Sequence, residues 1–290
     1  MNHKSTIPVI NFMWLLKSLT LIISIQFFSF QMKGQTSSAF PYDLLEPNNK
    51  YVLPESLEEI SGLTYYGPDQ LACLNDEHGR MYVFDTNRKE IVHRVRFAGT
   101  GDFEGIEKVG NEIFAIKSNG NLYRFNEDIS GEVVKIETPF QSENNVEGLG
   151  YDPISGNLLI ALKGNGAIDG KKVKGKTIFG FHIASKSFSE DPLFIIKDRD
   201  VERVIGKSKD IKPSGVAVHP ISGDIYVVAS VGRVLIVFNR DGSPKNLSAL
   251  KRSLFPQPEG ITFSPNGDLY ISNEREGEGG TILHFKMAKQ

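Results

Sequence analysis

Three glutamates in this sequence are each followed by a glycine and then by an aliphatic residue. They are Glu104, Glu147 and Glu259. Carboxylates that converge on one point repel one another unless a cation or another positive group lies among them. Calcium prefers about six to eight oxygen ligands of carboxylate, amide and carbonyl type. These residues therefore predict a site for calcium or another hard cation, provided that the fold brings them together.

Further oxygen donors come at the ends of other apolar segments. Asp76, Glu77 and Asn273 are the additional candidate metal ligands from these positions. Other donors of the same kind are Glu59, Asn75, Asn119, Asn165 and Glu274. The alternative is structural, because such acids also cap strand starts or pair with arginines such as Arg80 or Arg233. The sequence leaves both interpretations open.

Signatures of other chemistry are scarce. The six histidines are scattered singly without metal-ligand spacing, which argues against a transition-metal site. Neither a Gly-x-Ser-x-Gly elbow nor a phosphate-binding P-loop occurs. A hydrolase built on this chain would be metal-assisted, with Glu104 or Glu147 handling protons. His78, beside Asp76 and Glu77, is the candidate general base, although a turn histidine is more often simply solvated.

A glycine- and lysine-rich segment covers residues 163–176. Its lysines include Lys171, Lys172 and Lys174. Such a loop can move over a site and receive a phosphorylated ligand, because its glycines permit the motion. A solvated basic loop is the alternative, since lysine runs are common on protein surfaces.

The candidate acids belong to a three-residue sequence motif that occurs five times: a small or acidic residue, a glycine and an aliphatic residue. The copies are Ser61-Gly62-Leu63, Glu104-Gly105-Ile106, Glu147-Gly148-Leu149, Ser214-Gly215-Val216 and Glu259-Gly260-Ile261. Successive glycines are 43, 43, 67 and 45 residues apart. Periods near this length are typical of a four-stranded propeller blade, which takes about 40 to 45 residues. The long third interval requires an insertion, for which residues 163–176 and 197–212 are the loop candidates.

These repeats predict an all-β fold, a β-propeller of five four-stranded blades, with six blades if the long interval hides a degenerate copy. A β-sandwich with chance glycines is the alternative. The last copy ends too early to supply its own outer strand. Residues 50–53 precede the first copy, and we expect them to pair there and close the ring. The acids at the start of each copy then lie on first strands, which line the central channel.

Composition and the first residues restrict the setting. The 290 residues carry a formal net charge of −2, and no basic face indicates nucleic-acid binding. The apolar run 18–30 follows Lys4 and Lys17, as in an export signal. We expect a signal peptide or membrane anchor at 1–35, a linker at 36–49 and one propeller domain at 50–290. The only cysteine, Cys73, lies in an apolar run and predicts a buried side chain.

The repeats resemble those of the SdiA-regulated family of bacterial envelope β-propellers. The resemblance covers about residues 50–288 and rests on the runs Glu59–Leu63, Asp102–Ile106, Asn145–Leu149 and Pro258–Ile261. It implies a periplasmic, membrane-associated or secreted propeller with calcium-linked roles and with phytase-like or esterase-like relatives. The likeness to lactonase propellers, in which inner strand ends hold a calcium, is more distant.

Three functions stay open on the sequence. The first is a propeller that binds calcium and an unknown small-molecule or protein ligand at the channel mouth. The second is a calcium-dependent hydrolase of phosphomonoesters, lactones or esters. The third is a scaffold that binds a protein partner on its rims. In each case we expect a monomer that contacts the membrane only through its N-terminal segment.

Overall fold

A computed structural model describes residues 40–128, 131–164, 166, 168, 170, 173–205, 210–275, 277 and 279–288. The predicted signal segment at 1–35 lies outside the described residues. The same holds for Asn165, Lys171 and Lys172, so the structure does not bear on their predicted roles.

The described chain consists almost entirely of short strands, with two 3₁₀ turns and one helix. The strands in chain order are β1 Asn49–Val52, β2 Ile60–Gly67, β3 Gln70–Asn75, β4 His78–Asp85, β5 Glu90–Thr100, β6 Phe103–Val109, β7 Glu112–Lys117, β8 Leu122–Asn126, β9 Val134–Ile136, β10 Val146–Asp152, β11 Asn157–Leu162, β12 Lys176–His182, β13 Ser187–Phe188, β14 Phe194–Ile196, β15 Lys212–Val218, β16 Ile225–Val231, β17 Val234–Phe238, β18 Pro244–Ala249, β19 Pro258–Phe263, β20 Leu269–Asn273 and β21 Thr281–Phe285. The 3₁₀ turns are Glu55–Leu57 and Ser142–Asn144, and helix α1 is Asp198–Ile205.

These strands form five antiparallel sheets, the five blades of a β-propeller. Blade 1 is β2-β3-β4-β5, blade 2 is β6-β7-β8-β9 and blade 4 is β15-β16-β17-β18. Blade 3 is β10-β11-β12 with both β13 and β14 on the outer edge of β12. Blade 5 is β19-β20-β21, and β1 supplies its outer strand. The prediction of five blades is confirmed.

Ring closure occurs as the sequence predicts. Strand β1 pairs antiparallel with β21, in a register that places Tyr51 opposite Ile282. The N-terminal strand therefore completes the last blade. Just before β1, Tyr42 is buried, and its hydroxyl donates to the carbonyl oxygen of Gly267 at 2.6 Å.

The long third interval contains a split outer edge and a helix rather than a sixth blade. Residues 163–175 connect β11 to β12, and the predicted loop 163–176 runs one residue too far because β12 begins at Lys176. The prediction of a loop at 197–212 is wrong in part, because α1 begins at Asp198. Asp198 and Asp200 lie in its first turn, where acidic side chains interact favourably with the helix dipole. Val201 is buried in the core between blades 3 and 4.

The repeat glycines allow the five inner strands to approach one another closely. A β-carbon on Gly105 would lie 2.7 Å from the β-carbon of Leu149 in blade 3. One on Gly260 would lie 2.9 Å from the backbone nitrogen of Leu63 in blade 1. Real β-carbons do not approach other atoms so closely, because the packed interior leaves no room. The glycine of the repeat is therefore explained by backbone packing between blades.

Apolar side chains fill the space between the sheets. Large buried residues include Phe84, Phe103, Phe114, Phe179 and Phe285. Cys73 is fully buried in the cluster of blades 1 and 5, which confirms the prediction of a packing role. No helix within the described residues is both long and apolar enough to span a membrane.

Candidate functional site

The small or acidic residue of each repeat lies at an irregularity in its inner strand. In every blade the pairing register between the first and second strands shifts at this position. The residues concerned are Ser61, Glu104, Glu147, Ser214 and Glu259. A bulge removes a residue from the ladder and re-aims its side chain, which is common next to functional sites. The five copies thus present equivalent polar side chains around one end of the channel, the channel mouth.

The two serines at this position link neighbouring blades. Ser61 Oγ donates to the carbonyl oxygen of Phe103 at 2.6 Å, and Ser214 Oγ donates to that of Pro258 at 2.7 Å. Each hydroxyl therefore bonds the inner strand of the next blade. In the other three blades a glutamate occupies this position. These blades therefore place a carboxylate at the mouth, whereas the two serine blades form a hydrogen bond to the next blade.

Glu147 is the best-bonded of the three acids. It is only 3% exposed. Its Oε2 accepts from Lys163 Nζ at 3.0 Å, and its Oε1 accepts from Asn145 Nδ2 at 2.9 Å. Burial raises the pKa of Glu147, and the nearby Lys163 ammonium opposes that shift. For Lys163, burial favours the neutral form, but the charges of Glu147 and Glu259 outweigh it and raise the pKa.

Glu104 and Glu259 share the acidic environment of Glu147. Burial and then the charge of Glu147 raise the pKa of the half-buried Glu104. Glu259 is 4% exposed, and burial raises its pKa to about 8 in spite of the opposing Lys163 charge. At neutral pH the mouth therefore holds protons that ordinary surface carboxylates would have lost. The three glutamates predicted to converge do act on one another electrostatically.

A second set of equivalent residues follows the second strands. Asp76, Ser118, Lys163 and Glu274 each donate their backbone N–H to the carbonyl oxygen of the residue two positions before the bulge. Lys163 thus occupies in blade 3 the position that Asp76 and Glu274 occupy in blades 1 and 5. The sequence pattern predicts Lys163 to lie in a glycine- and lysine-rich loop, either one that moves over the site or a solvated one, and does not indicate this role. Its spacing contained the signal, because all four residues follow their repeat glycine by 13 to 15 positions.

Two predicted ligands carry buried oxygens without a hydrogen-bond partner in the described structure. They are Asp76 Oδ1 and Asn273 Oδ1. Asn273 is fully buried, and its Nδ2 donates to Thr281 Oγ1 at 3.4 Å. Burial, followed by the charge of Glu59, raises the pKa of Asp76. An unsatisfied buried acceptor costs free energy, so these two oxygens can accept a bond from a donor or cation.

The remaining candidates lie at the edge of this group or outside it. Glu77 is exposed, and its backbone N–H donates to Asn75 Oδ1 at 3.0 Å. Asn119 Oδ1 accepts from the backbone of Asn121 at 3.2 Å, so this amide shapes a turn. Among the described residues, neither Arg80 nor Arg233 forms a salt bridge with these acids, and Lys163 pairs with Glu147. Glu274 joins the acidic group, because burial and a hydrogen bond to Glu59 raise its pKa.

The donor set fits a hard cation in type but not in assembled geometry. In the described part of the chain no group of three or more His, Cys, Asp or Glu side chains is placed to hold a metal ion. Both oxygens of Glu147 are already bonded, one of them to an ammonium. The unpartnered oxygens of Asp76 and Asn273 are of the type that calcium prefers. The calcium prediction therefore remains a prediction.

A cavity of about 550 Å³ opens beside the mouth. Its lining residues are Lys163, Asp210, Ser230, Val231, Gly232, Arg233, Pro256, Gln257 and Glu259. The volume falls within the range of about 300 to 1,000 Å³ that is typical of small-molecule sites. Ser230 Oγ is buried without a partner in the described structure. The mouth therefore offers room for a small molecule, with an ammonium and a carboxylate in the wall.

The chain belongs to the SdiA-regulated family, whose model matches residues 47–276. The match covers all five blades up to the end of β20. No curated protein sequence matches the chain.

Solved structures share the fold at low sequence identity. Glutaminyl cyclase from Myxococcus xanthus is 14% identical, with a TM-score of 0.59 over 84% of this chain and 96% of the other. A protein of unknown function from Bacteroides thetaiotaomicron is 11% identical, with a TM-score of 0.53 over 83% and 60% of the two chains. A gluconolactonase from Xanthomonas campestris is 13% identical, with a TM-score of 0.50 over 78% and 72%. These similarities establish the propeller architecture and leave the reaction open.

Proposed function

We propose that this protein is an exported binding propeller that holds a cation, with calcium as the first candidate, together with a small ligand at the channel mouth. One observation carries the proposal: the half-buried Glu104 and the buried Glu147 and Glu259 take equivalent inner-strand positions, where each charge raises the pKa of a neighbour. Among the described residues, Lys163 is the one basic side chain that bonds any of them. The excess of acid over base makes the mouth a place where positive charge is stabilised.

The elevated carboxylate pKa values support this reading. Without a bound cation, Glu104 and Glu259 keep protons at pH values where free glutamates have lost them. A cation that binds must displace those protons, so its affinity should rise with pH. The oxygens of Asp76 and Asn273 are the further ligands that we assign to it, and Glu77 is solvent-accessible beside them. The ligand itself would occupy the adjoining cavity and contact Lys163.

Export is part of the same proposal. The order of basic, apolar and small residues in the segment 1–35 supports removal of a signal peptide or its retention as an anchor. Cell fractionation and N-terminal sequencing of the natural product test this part. A mature N-terminus near residue 36 supports cleavage, a full-length membrane-bound product supports the anchor, and a full-length product in the cytoplasm contradicts export.

The binding proposal is tested by thermal unfolding of the full-length chain with calcium, magnesium or EDTA, at pH 6 and pH 8.5. Calcium at about 100 times its dissociation constant should stabilise the fold by roughly 2.7 kcal/mol. We expect a larger shift at pH 8.5 than at pH 6 and none in the double variant Glu104→Gln/Glu259→Gln. Glu137→Gln removes an exposed carboxylate and serves as the control, which should respond as the parent does.

The outcomes separate the three functions. Calcium-dependent stabilisation without turnover supports the binding propeller. Calcium-dependent turnover of phosphomonoesters, lactones or esters, lost in the double variant, would replace it with the hydrolase. If the parent shows no response to either divalent ion, the acids are structural, and the rims should be examined for protein partners.

A further inference from the structure

Blade 1 carries a second polar pocket on its outer strands. Its volume is about 170 Å³, and its lining residues are His78, Gly79, Arg80, Arg96, Ala98, Gly99 and Thr100. The pocket forms between β4 and β5, which place Arg80 directly opposite Arg96. No acidic residue contributes to the lining. This arginine pocket is distinct from the cavity beside the mouth, since the two share no lining residue.

A glycine at a strand irregularity makes the pocket possible. The register between β4 and β5 shifts between His78 and Arg80, so Gly79 lies outside the regular ladder. A β-carbon on Gly79 would lie 2.5 Å from the β-carbon of Ala98. Only glycine permits this approach, which brings the two strands together beneath the arginine pair.

The arginine pair is unusual because the charges are alike and uncompensated. Like charges directly opposite each other on neighbouring strands are destabilising. Among the described residues neither Arg80 nor Arg96 has a carboxylate within salt-bridge distance. By contrast, Arg124 pairs with Glu112 at 2.7 Å, and Arg240 binds both carboxylate oxygens of Asp152 at 2.7 Å. Arg124 and Arg240 therefore each have an acidic partner, whereas Arg80 and Arg96 have none among the described residues.

The donors in the pocket remain available to a ligand. Arg96 uses its Nε to donate to the carbonyl oxygen of Ala98 at 3.2 Å, which fixes the side chain over the pocket. Its terminal nitrogens are not committed by that bond. The Arg80 guanidinium carbon lies 6.0 Å from the centre of the Tyr82 ring. His78 and Thr100, opposite each other at the end of the same strands, add an imidazole and a hydroxyl.

We propose that the arginine pocket binds the phosphate group of a phosphomonoester. Guanidinium groups match phosphate oxygens in a planar, two-bond geometry, which is the strongest common form of anion recognition by side chains. A phosphomonoester carries a charge of about −1.5 to −2 near pH 7, enough to neutralise two arginines, whereas a carboxylate carries only one. The volume is below the ~300 Å³ at which pockets enclose whole small molecules, so the pocket takes the head group and leaves the remainder outside.

Titration calorimetry of the full-length chain at low ionic strength tests the assignment, with inorganic phosphate and glycerol 3-phosphate as probes and acetate for comparison. We expect one phosphate site per chain and much weaker binding of acetate. Arg80→Gln and Arg96→Gln should each weaken phosphate binding by about tenfold or more, because a hydrogen bond to a charged group is lost. Arg80→Lys keeps the charge without the planar fork and should have an intermediate effect.

Arg94→Gln is the matched control. Arg94 is exposed on the same strand, opposite Tyr82, and it does not line the pocket. The substitution Arg94→Gln removes the same charge as Arg96→Gln. If the pocket binds phosphate, rather than the overall positive charge of the strand attracting it, the affinity of Arg94→Gln for phosphate should stay within about twofold of that of the parent. No saturable phosphate binding, equal binding of acetate, or equal losses in Arg94→Gln and Arg96→Gln would each overturn the proposal.

The source of the phosphate group is a separate arm of the experiment. Phosphatidylcholine vesicles with and without phosphatidic acid test a lipid head group, and glycerol 3-phosphate tests a soluble ester. Sedimentation with phosphatidic acid vesicles that depends on Arg80 and Arg96 supports the pocket with a lipid source. Calorimetric binding without sedimentation supports it with a soluble source.

Discussion

The channel mouth and the arginine pocket of blade 1 both gather like charges, and the chain stabilises the two groups in different ways. At the mouth Glu147 and Glu259 are buried and Glu104 is half-buried, and Lys163 bonds Glu147. In the arginine pocket the facing side chains are partly or fully exposed, and no carboxylate of the described chain neutralises them. Water screening keeps the cost of the second arrangement small, whereas the first needs an internal counter-charge.

The two regions also differ in what they can do with a proton. A crowded carboxylate can become neutral, because its pKa rises into the accessible range, as it does to about 8 for Glu259. A guanidinium keeps its charge at every physiological pH. The mouth is therefore expected to respond to pH and cations, and the arginine pocket only to anions and ionic strength.

The largest expected effect concerns the pH dependence at the mouth. The pKa of Glu259 is raised to about 8 in the folded chain, so between about pH 4.5 and pH 8 the folded state binds more protons than the unfolded state. Stability from this group is full below the unfolded value and falls as the pH rises towards 8. In EDTA, Glu259→Gln should remove a loss of roughly 3 to 5 kcal/mol across that interval.

Urea unfolding of parent and Glu259→Gln at intervals between pH 5 and pH 8.5 measures this difference. The free energy of unfolding of the variant should approach that of the parent at pH 5 and exceed it at pH 8. Glu137→Gln, at an exposed position, should follow the parent throughout. Parallel curves for parent and Glu259→Gln would show that Glu259 has an ordinary pKa and would remove the contrast with the arginine pocket.

The second-largest expected effect tests whether the Lys163 ammonium stabilises the acids at the mouth. Lys163→Met removes the ammonium that Glu147 bonds at 3.0 Å and leaves a buried carboxylate with Asn145 as its remaining partner. Breaking a buried pair is costly, and we expect a loss of about 2 to 4 kcal/mol at pH 8, towards the low end because Lys163 is partly exposed. At pH 5 the loss should shrink, since Glu147 can then take up a proton.

Chemical denaturation at the two pH values tests Lys163→Met against Lys135→Met. Lys135 forms an exposed pair with Glu137 at 2.8 Å, and its removal should leave stability almost unchanged because solvent screens such pairs. Equal effects of the two substitutions would mean that the acids at the mouth do not need Lys163. Calcium should stabilise Lys163→Met more than the parent if the ion and the ammonium compete for the same carboxylates.

The sequence predicts the repeating parts of this molecule well because the same packing requirement acts on every repeat. Gly105 and Gly260 mark the close packing of inner strands, and the spacing between repeats gives the blade length. The predictions of five blades and of closure by residues 50–53 follow from that pattern. Helix α1 lies outside the repeats, and its short charged sequence gave no strong signal.

Candidate residues at the mouth could be predicted only where they belong to the repeated motif. Glu104, Glu147 and Glu259 occupy a repeat position and were identified. Lys163 occupies a position where blades 1, 2 and 5 have Asp76, Ser118 and Glu274, and it was missed because that position has no uniform residue type. The pairing of Arg80 with Arg96 depends on a register shift between β4 and β5, which residue spacing does not reveal. Whether the acids hold calcium depends on distances between blades, and these are a property of the assembled ring.

The smallest expected effect is a gain in stability, opposite in sign to the loss expected for Lys163→Met, and it tests the comparison most directly. Replacing one arginine of the pocket by a neutral residue should stabilise the fold. The two facing guanidinium groups repel each other, and neither has an acidic partner that the substitution would leave unpaired. We expect Arg96→Gln to raise the free energy of unfolding by about 0.2 to 1 kcal/mol at low salt. The gain should shrink in about 1 M salt, where the screening length falls to roughly 3 Å.

With added phosphate the parent should become more stable than Arg96→Gln. Phosphate stabilises the parent by binding both arginines and stabilises the variant hardly at all. Thermal unfolding at low salt, high salt and with inorganic phosphate therefore gives three readings from one pair of proteins. Arg94→Gln again provides the control, because its charge faces Tyr82 and not a second arginine. A destabilised Arg96→Gln at low salt would show that the arginine pair is held by interactions within the fold, and the pocket would then resemble the mouth, with its charges satisfied internally.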